Sequence, residues 1–182
     1  MRKVSLKVLT FNELSEAKQK TIIDNFRDIN VDTEWHKPTF EKWEKHLEAL
    51  GFEGVKIFYS GFGSPGDGAC FTAERIDFEK YNKGVHSLLD VTGKITHRYR
   101  YYFATSTNVE INTGDSVTDS AHQAIETEIE QLRAEIGNGI YKELQDLYWE
   151  LTSDEAVKES LQANELEFTP DGKLFNNLLE TA

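Results

Sequence analysis

The stretch Val55-Lys56-Ile57-Phe58-Tyr59-Ser60-Gly61-Phe62-Gly63-Ser64-Pro65-Gly66-Asp67-Gly68-Ala69-Cys70-Phe71-Thr72-Ala73 decides the fold. Val55 to Tyr59 is a β-branched and aromatic run, and Ala69, Phe71 and Ala73 alternate after it. Four glycines within eight positions, 61 to 68, separate the two. The pattern predicts a β-hairpin with a long, decorated loop, and loops of that kind carry function.

Outward from the hairpin, Pro38 opens a helix with Phe40, Trp43, Leu47 and Leu50 on one side, closed by Gly51. Residues 3 to 11 alternate through Val4, Leu6 and Val8 as a first strand. Leu14, Ala17, Thr21, Ile22, Phe26 and Ile29 then mark an amphipathic helix capped by Asn12. Phe78, Tyr81, Val85 and Leu89 predict a short helix. After Gly93, a strand places Ile95, His97, Tyr99, Tyr101 and Phe103 on one face. It turns at Thr105-Ser106-Thr107 into Val109 and Ile111, and Thr113-Gly114-Asp115 ends this second hairpin.

From Asp119 a long helical region carries Ile125, Ile129, Leu132, Ile136, Ile140, Leu144, Leu147 and Leu151, with a kink or a two-helix corner expected at Gly137-Asn138-Gly139. Thr152 and Glu155 fit a capping box for a last helix, and Pro170-Asp171-Gly172 marks a terminal hairpin between Phe168 and Leu174. The expectation is an α+β fold in one domain, residues 1–182. A mostly antiparallel sheet is built from the early strand and two hairpins, and the long C-terminal helical region packs on one face.

With 32 acidic against 20 basic residues and a formal charge of −12, the chain repels phosphate backbones and anionic membranes. Direct nucleic-acid binding is therefore not expected. The same charge suits basic sites on other proteins. Eleven Phe, seven Tyr and three Trp give core material for folding without a partner. Cys70 is the single cysteine, so neither an internal disulfide nor a zinc site of paired thiolates can form. No apolar run reaches the roughly 20 residues a membrane helix needs, and Met1-Arg2-Lys3 leads into a strand pattern rather than a signal-peptide core. The expected location is the cytoplasm.

Two readings of the loop stand side by side. Glycines let a chain present successive N–H groups as an anion-binding nest, with Ser60, Gly61, Phe62, Ser64 and Asp67 as the contact set. Equally, they build a bulged hairpin whose turn Asp67 caps through its own backbone. Gly61-x-Gly63-x-x-Gly66 matches the dinucleotide-binding fingerprint in letters alone, because a strand follows where a helix is needed, and no P-loop lysine is present.

A second cluster, Lys94 to Tyr102, is basic and aromatic. Arg98 and Arg100 on one face can grip a phosphate or carboxylate bidentately, or pair with the chain's own acids. His97, on the other face, reads as a hydrogen-bonded core or partly buried histidine rather than a catalytic base, and is counted with the ligand- or partner-binding residues. Ser60, Ser64 or Cys70 with His97 and Asp67 could supply the parts of nucleophilic catalysis, but no nucleophile elbow is present and Cys70 reads as a buried, inert thiol. His36, His46, His86 and His122 lack metal-ligand spacing, so neither a metal nor a cofactor is expected.

The stretch from Ile57 to Phe71 contains Ser-Gly-Phe-x-Ser-x-Gly-Asp-Gly-Ala-x-Phe and resembles a motif of an uncharacterised family of bacteriophage proteins. Trp35, Gly51-Phe52, Tyr141-Lys142-Glu143-Leu144 and Thr152-Ser153-Asp154-Glu155-Ala156-Val157 resemble further pieces of it. That family commonly has Trp and Gln where this chain has Gly63 and Pro65. The resemblance implies a viral accessory protein in the cytoplasm of a bacterial host, which antagonises a host defence protein or binds a small anionic signal such as a nucleotide, with or without hydrolysing it.

Overall fold

The computed structural model describes residues 7–81, 91–97, 100–115 and 117–175. The chain gathers into two compact units, residues 36–146 and residues 1–35 with 147–182. The architecture is α+β, as the patterning predicts.

Within residues 36–146, helix α2 (Lys37–Ala49) starts with Pro38 in its first turn, where a missing N–H costs nothing. Gly51 ends it at φ +97°, and a Cβ there would sit 2.6 Å from the Asp77 carbonyl oxygen. Strands β2 (Phe52–Glu53) and β3 (Lys56–Tyr59) both pair with β4 (Ala69–Ile76), β2 at its C-terminal end and β3 at its N-terminal half. After α3 (Phe78–Tyr81), strands β5 (Val91–His97) and β6 (Thr107–Thr113) complete an antiparallel sheet in the order β2-β4-β5-β6. Ala73, Ile95 and Val109 lie opposite one another and are all buried. On the opposite face Lys94 and Glu110, also cross-strand partners, form an exposed ion pair at 2.9 Å.

Helix α4 (Asp119–Leu151) packs against this sheet with Ile129, Arg133, Ile136, Ile140 and Leu144 buried. It runs unbroken through Gly137-Asn138-Gly139, so the expected break into a two-helix corner does not occur there. The glycines serve packing instead. A Cβ on Gly137 would lie 2.9 Å from both the Ala69 carbonyl oxygen and the Ala104 Cβ, and one on Gly139 would lie 3.2 Å from the Trp43 ring. The second hairpin also differs from expectation. Gly93 lies inside β5, hemmed by Ile111, Ile76 and Phe78, the described strand runs to His97, and residues 100–103 lie outside any strand, where alternation predicts it to continue to Phe103.

In the other unit, β1 (Leu9–Thr10) pairs with β7 (Glu167–Phe168). The described part of the early strand therefore pairs near the other end of the chain rather than with the hairpin sheet. Residues 3 to 6 of the expected strand fall outside the described residues, as do Val85 and Leu89. Phe11–Glu13 form a 3-10 turn, and α1 (Glu16–Asn25) starts after Ser15, displacing the cap expected at Asn12. Phe11, Leu14, Ile22, Val157, Leu161 and Phe168 make this unit's core. Helix α5 (Asp154–Ala163) is capped by Ser153, whose hydroxyl accepts from the Ala156 N–H at 3.2 Å. The Thr152 hydroxyl instead donates to the Tyr148 carbonyl, so the cap falls one residue later than expected and, with Ala156 at its third position, no capping box forms. Phe168 faces Leu174 across the terminal turn, with Gly172 at φ +88°. No described helix is long and apolar enough to cross a membrane.

Candidate functional site: the glycine-rich knob

Tyr59 and Ala69 are the last paired residues of the hairpin, and the Ser60 N–H bonds the Gly68 carbonyl at 3.0 Å to close the neck of the loop. Ser64-Pro65-Gly66-Asp67 forms a turn in which the Asp67 N–H reaches the Ser64 carbonyl at 3.0 Å. Pro at its second position and Gly66 at φ +95° in its third are the residues a type II turn requires. Asp67 then folds back, and its Oδ2 accepts from the N–H groups of Gly63 at 2.9 Å and Ser64 at 2.6 Å. The loop's own carboxylate therefore fills the nest that an outside anion would have used.

Phe62 is half-buried and stacks on Tyr59 and Tyr141, with ring centroids 5.9 and 5.6 Å away. Tyr59 in turn packs on His36 and Phe40. Burial raises the pKa of Tyr141, and the nearby Asp67 charge adds to the shift. What remains exposed at the tip is small: Gly61, Gly63, Ser64, Pro65 and Gly66.

The segment after β5 supports one flank. A Cβ on Gly68 would sit 2.6 Å from the Phe103 Cα, so only glycine admits this backbone crossing. Tyr101, 57% exposed, stands 3.8 Å from where a Gly66 Cβ would be. Tyr102 stacks on Phe58 at 5.5 Å, and His97 packs on both rings. His97 is exposed rather than a core histidine, and its Nε2 lies 3.3 Å from the Tyr101 carbonyl. It is the last paired residue of the strand, opposite Thr107.

The residues singled out from sequence thus divide. Ser60, Gly61, Phe62, Ser64 and Asp67 build one knob, and His97 lies with the aromatic pair beside it. Arg100 is exposed in the same segment as Tyr101, while Arg98 lies outside the described residues. Among the described residues no hydrogen bond joins His97 or Asp67 to the hydroxyls of Ser60 or Ser64 or to the Cys70 thiol, so the parts of a nucleophilic relay are not assembled. Burial raises the pKa of Cys70, more than the neighbouring Ser106 hydroxyl and Arg133 charge lower it. Sequence reasoning assigned Tyr101 and Tyr141 no part in this surface. Tyr141 had a signal, since it follows the buried Ile140 on α4 and precedes a charged face.

A family described as a domain of unknown function (DUF8835) matches residues 35–88, the segment that holds α2, the hairpin with its glycine-rich loop, and α3. No curated protein and no solved structure matches the chain.

Proposed function

We infer that the chain is an accessory binding protein that docks a partner protein through the 60–68 knob and Tyr101. The bridging of Gly63 and Ser64 by Asp67 carries this reading. It gives the exposed tip a fixed shape before any partner arrives, which removes part of the ordering cost of association. Phe62, braced by Tyr59 and Tyr141, stiffens the base, and exposed Tyr101 supplies the kind of aromatic anchor on which interfaces concentrate their energy. The resemblance to bacteriophage proteins makes the partner a host protein, such as a defence factor, in the cytoplasm of the infected bacterium.

A small anionic ligand is the competing reading. It has fewer donors available, because the Gly63 and Ser64 N–H groups already serve Asp67, while Arg100 stays exposed.

Gly63 provides a clean test, since a Cβ placed there meets nothing within 4 Å. Gly63→Arg keeps the fold and its N–H, yet sets a long side chain into any docked surface. Capture of a host protein by the wild-type chain should be lost with Gly63→Arg and weakened at least about 30-fold with Tyr101→Ala, the effect of a hot-spot anchor, while circular dichroism stays unchanged. Undiminished capture by both variants would refute the docking surface. A nucleotide that raises the melting midpoint only when Arg100 is present would favour the anionic ligand instead.

A further inference from the structure

The unit made of residues 1–35 and 147–182 shares no residue with the knob and carries a concavity of its own. Residues 10–12 and 161–167 enclose a cavity of about 470 Å³, a volume in the range of small-ligand sites. The fold explains its lining. β1 and β7 pair Leu9 with Phe168 and Thr10 with Glu167, so alternation turns Phe168 into the core and leaves Thr10 and Glu167 together on the opposite, exposed face. The last turn of α5 adds Leu161 and Gln162. The chain leaves that helix through Glu165 and Leu166, whose N–H groups return to the Gln162 and Leu161 carbonyls at 3.0 and 3.2 Å.

Phe11 and Leu161 are buried and Leu166 is half-buried, which gives the cavity an apolar wall. Glu165 and Glu167 line it too, are exposed, and form no ion pair among the described residues. No Lys, Arg or His lines the cavity. Glu13 adds negative charge next to it, since its carboxylate accepts from the Thr10 N–H at 2.8 Å and from the Thr10 hydroxyl at 2.9 Å. Those bonds lower its pKa and keep it ionised. Gln162 Nε2 donates to Asn12 Oδ1 at 2.6 Å, which orients both amides and leaves the Gln162 Oε1 as an acceptor. The lining therefore offers acceptors and negative charge beside carbon, and that combination selects a cation carrying its own hydrocarbon. A bare metal ion fits poorly, because among the described residues no three His, Cys, Asp or Glu side chains gather to hold one. More than one carboxylate suits more than one ammonium group. We propose that this cavity binds a linear aliphatic polyamine, its methylenes against Phe11, Leu161 and Leu166 and its ammonium groups at Glu165 and Glu167.

Spermidine is the probe, used on the whole chain. It should raise the melting midpoint saturably over magnesium chloride at equal ionic strength, by about 3–6 °C at ten times its dissociation constant. n-Butylamine, with a single ammonium group, should bind at least about tenfold more weakly. Amide shifts in heteronuclear NMR should move at residues 10–12 and 161–167. Glu165→Gln with Glu167→Gln keeps the shape of two exposed side chains and should abolish the response. Glu41→Gln with Glu48→Gln removes the same charge from exposed positions of α2, outside the cavity, and should leave the response intact. A flat spermidine titration would overturn the proposal. So would an equal shift with magnesium, equal binding of n-butylamine, or an equal loss in the α2 variant, each of which means that the acidic surface attracts cations without a site.

Discussion

Replacing Gly137 with alanine should destabilise the protein, although alanine is the better helix former. In an exposed helix interior the exchange gains about 1 kcal/mol. At position 137 the new Cβ would lie 2.9 Å from the Ala69 carbonyl oxygen, 2.9 Å from the Ala104 Cβ and 3.0 Å from the Ala104 Cα. These neighbours are backbone or rigidly tied to it, so α4 must move away from the start of β4 and from the turn before β6. Against backbone the cost lies at the upper end of the about 1–3 kcal/mol of overpacking, so after the helix-propensity gain the net loss should be about 1–2 kcal/mol. For a chain of this length that lowers the melting midpoint by about 2–8 °C. Gly139→Ala is the internal control. Its Cβ would meet only the Trp43 ring, at 3.2 and 3.4 Å, and the far edge of a side chain can yield. Its change should lie between none and a gain of about 1 kcal/mol. Thermal and urea unfolding followed by helical circular dichroism would measure both. If Gly137→Ala proved as stable as Gly139→Ala, the glycines would be mere weak points of a helix, and the close approach would be refuted.

Two further outcomes follow from local chemistry. Ser153→Ala should cost about 1 kcal/mol by removing the cap of α5, whereas Thr152→Val, which leaves that cap in place, should not lower the helix's amide protection in hydrogen exchange. Stability should also fall in alkaline solution, because Tyr81 is held protonated by burial and by its hydrogen bond to Glu128, and burial likewise holds Cys70 protonated. Both raised groups keep their protons in the folded state while the unfolded chain releases them, so stability is full at lower pH and declines above about 8.5 for the thiol and about 10 for the phenol. Tyr81→Phe should flatten the second decline in urea midpoints measured against pH, and an unchanged profile would contradict the assignment.

The hairpin at residues 55 to 73 was legible because alternation, a glycine-rich loop and flanking strand formers all agree there. The bounds of α2 and the start of α4 were legible for a similar reason, since Pro38, Gly51 and Asp119 act through local backbone chemistry. The misreadings share a different cause. Glycine breaks a helix and also admits a close neighbour, and only the packed structure decides between the two at Gly137. Alternation marks the faces of β5 but not where pairing stops, so it groups Tyr101 with the buried Ile95 although Tyr101 stands 57% exposed. β1 finds its partner more than 150 residues away, which no local pattern can encode. Arg133 had a visible signal, a charge at a stripe position between Ile129 and Ile136, but Leu132 beside it drew the assignment.

The glycines of the loop are not equivalent, and the difference bears on what the loop is for. Gly68 is required by the crossing of the Phe103 backbone, and Gly66 by its positive φ. Gly61 is constrained more gently, since a Cβ would press the Asp67 carboxylate at 3.3 Å. These three are explained by the loop's internal architecture. Gly63 is not, because its Cβ position is open and its φ is not in the left-handed region. The bond that position 63 gives to Asp67 comes from its N–H, which any residue but proline would supply. A large side chain there would change the outer surface without disturbing the Asp67 bridge. The frame of the knob and its outer surface are therefore separable in sequence, and under the docking role proposed above a substitution at position 63 alters the contact while leaving the frame intact.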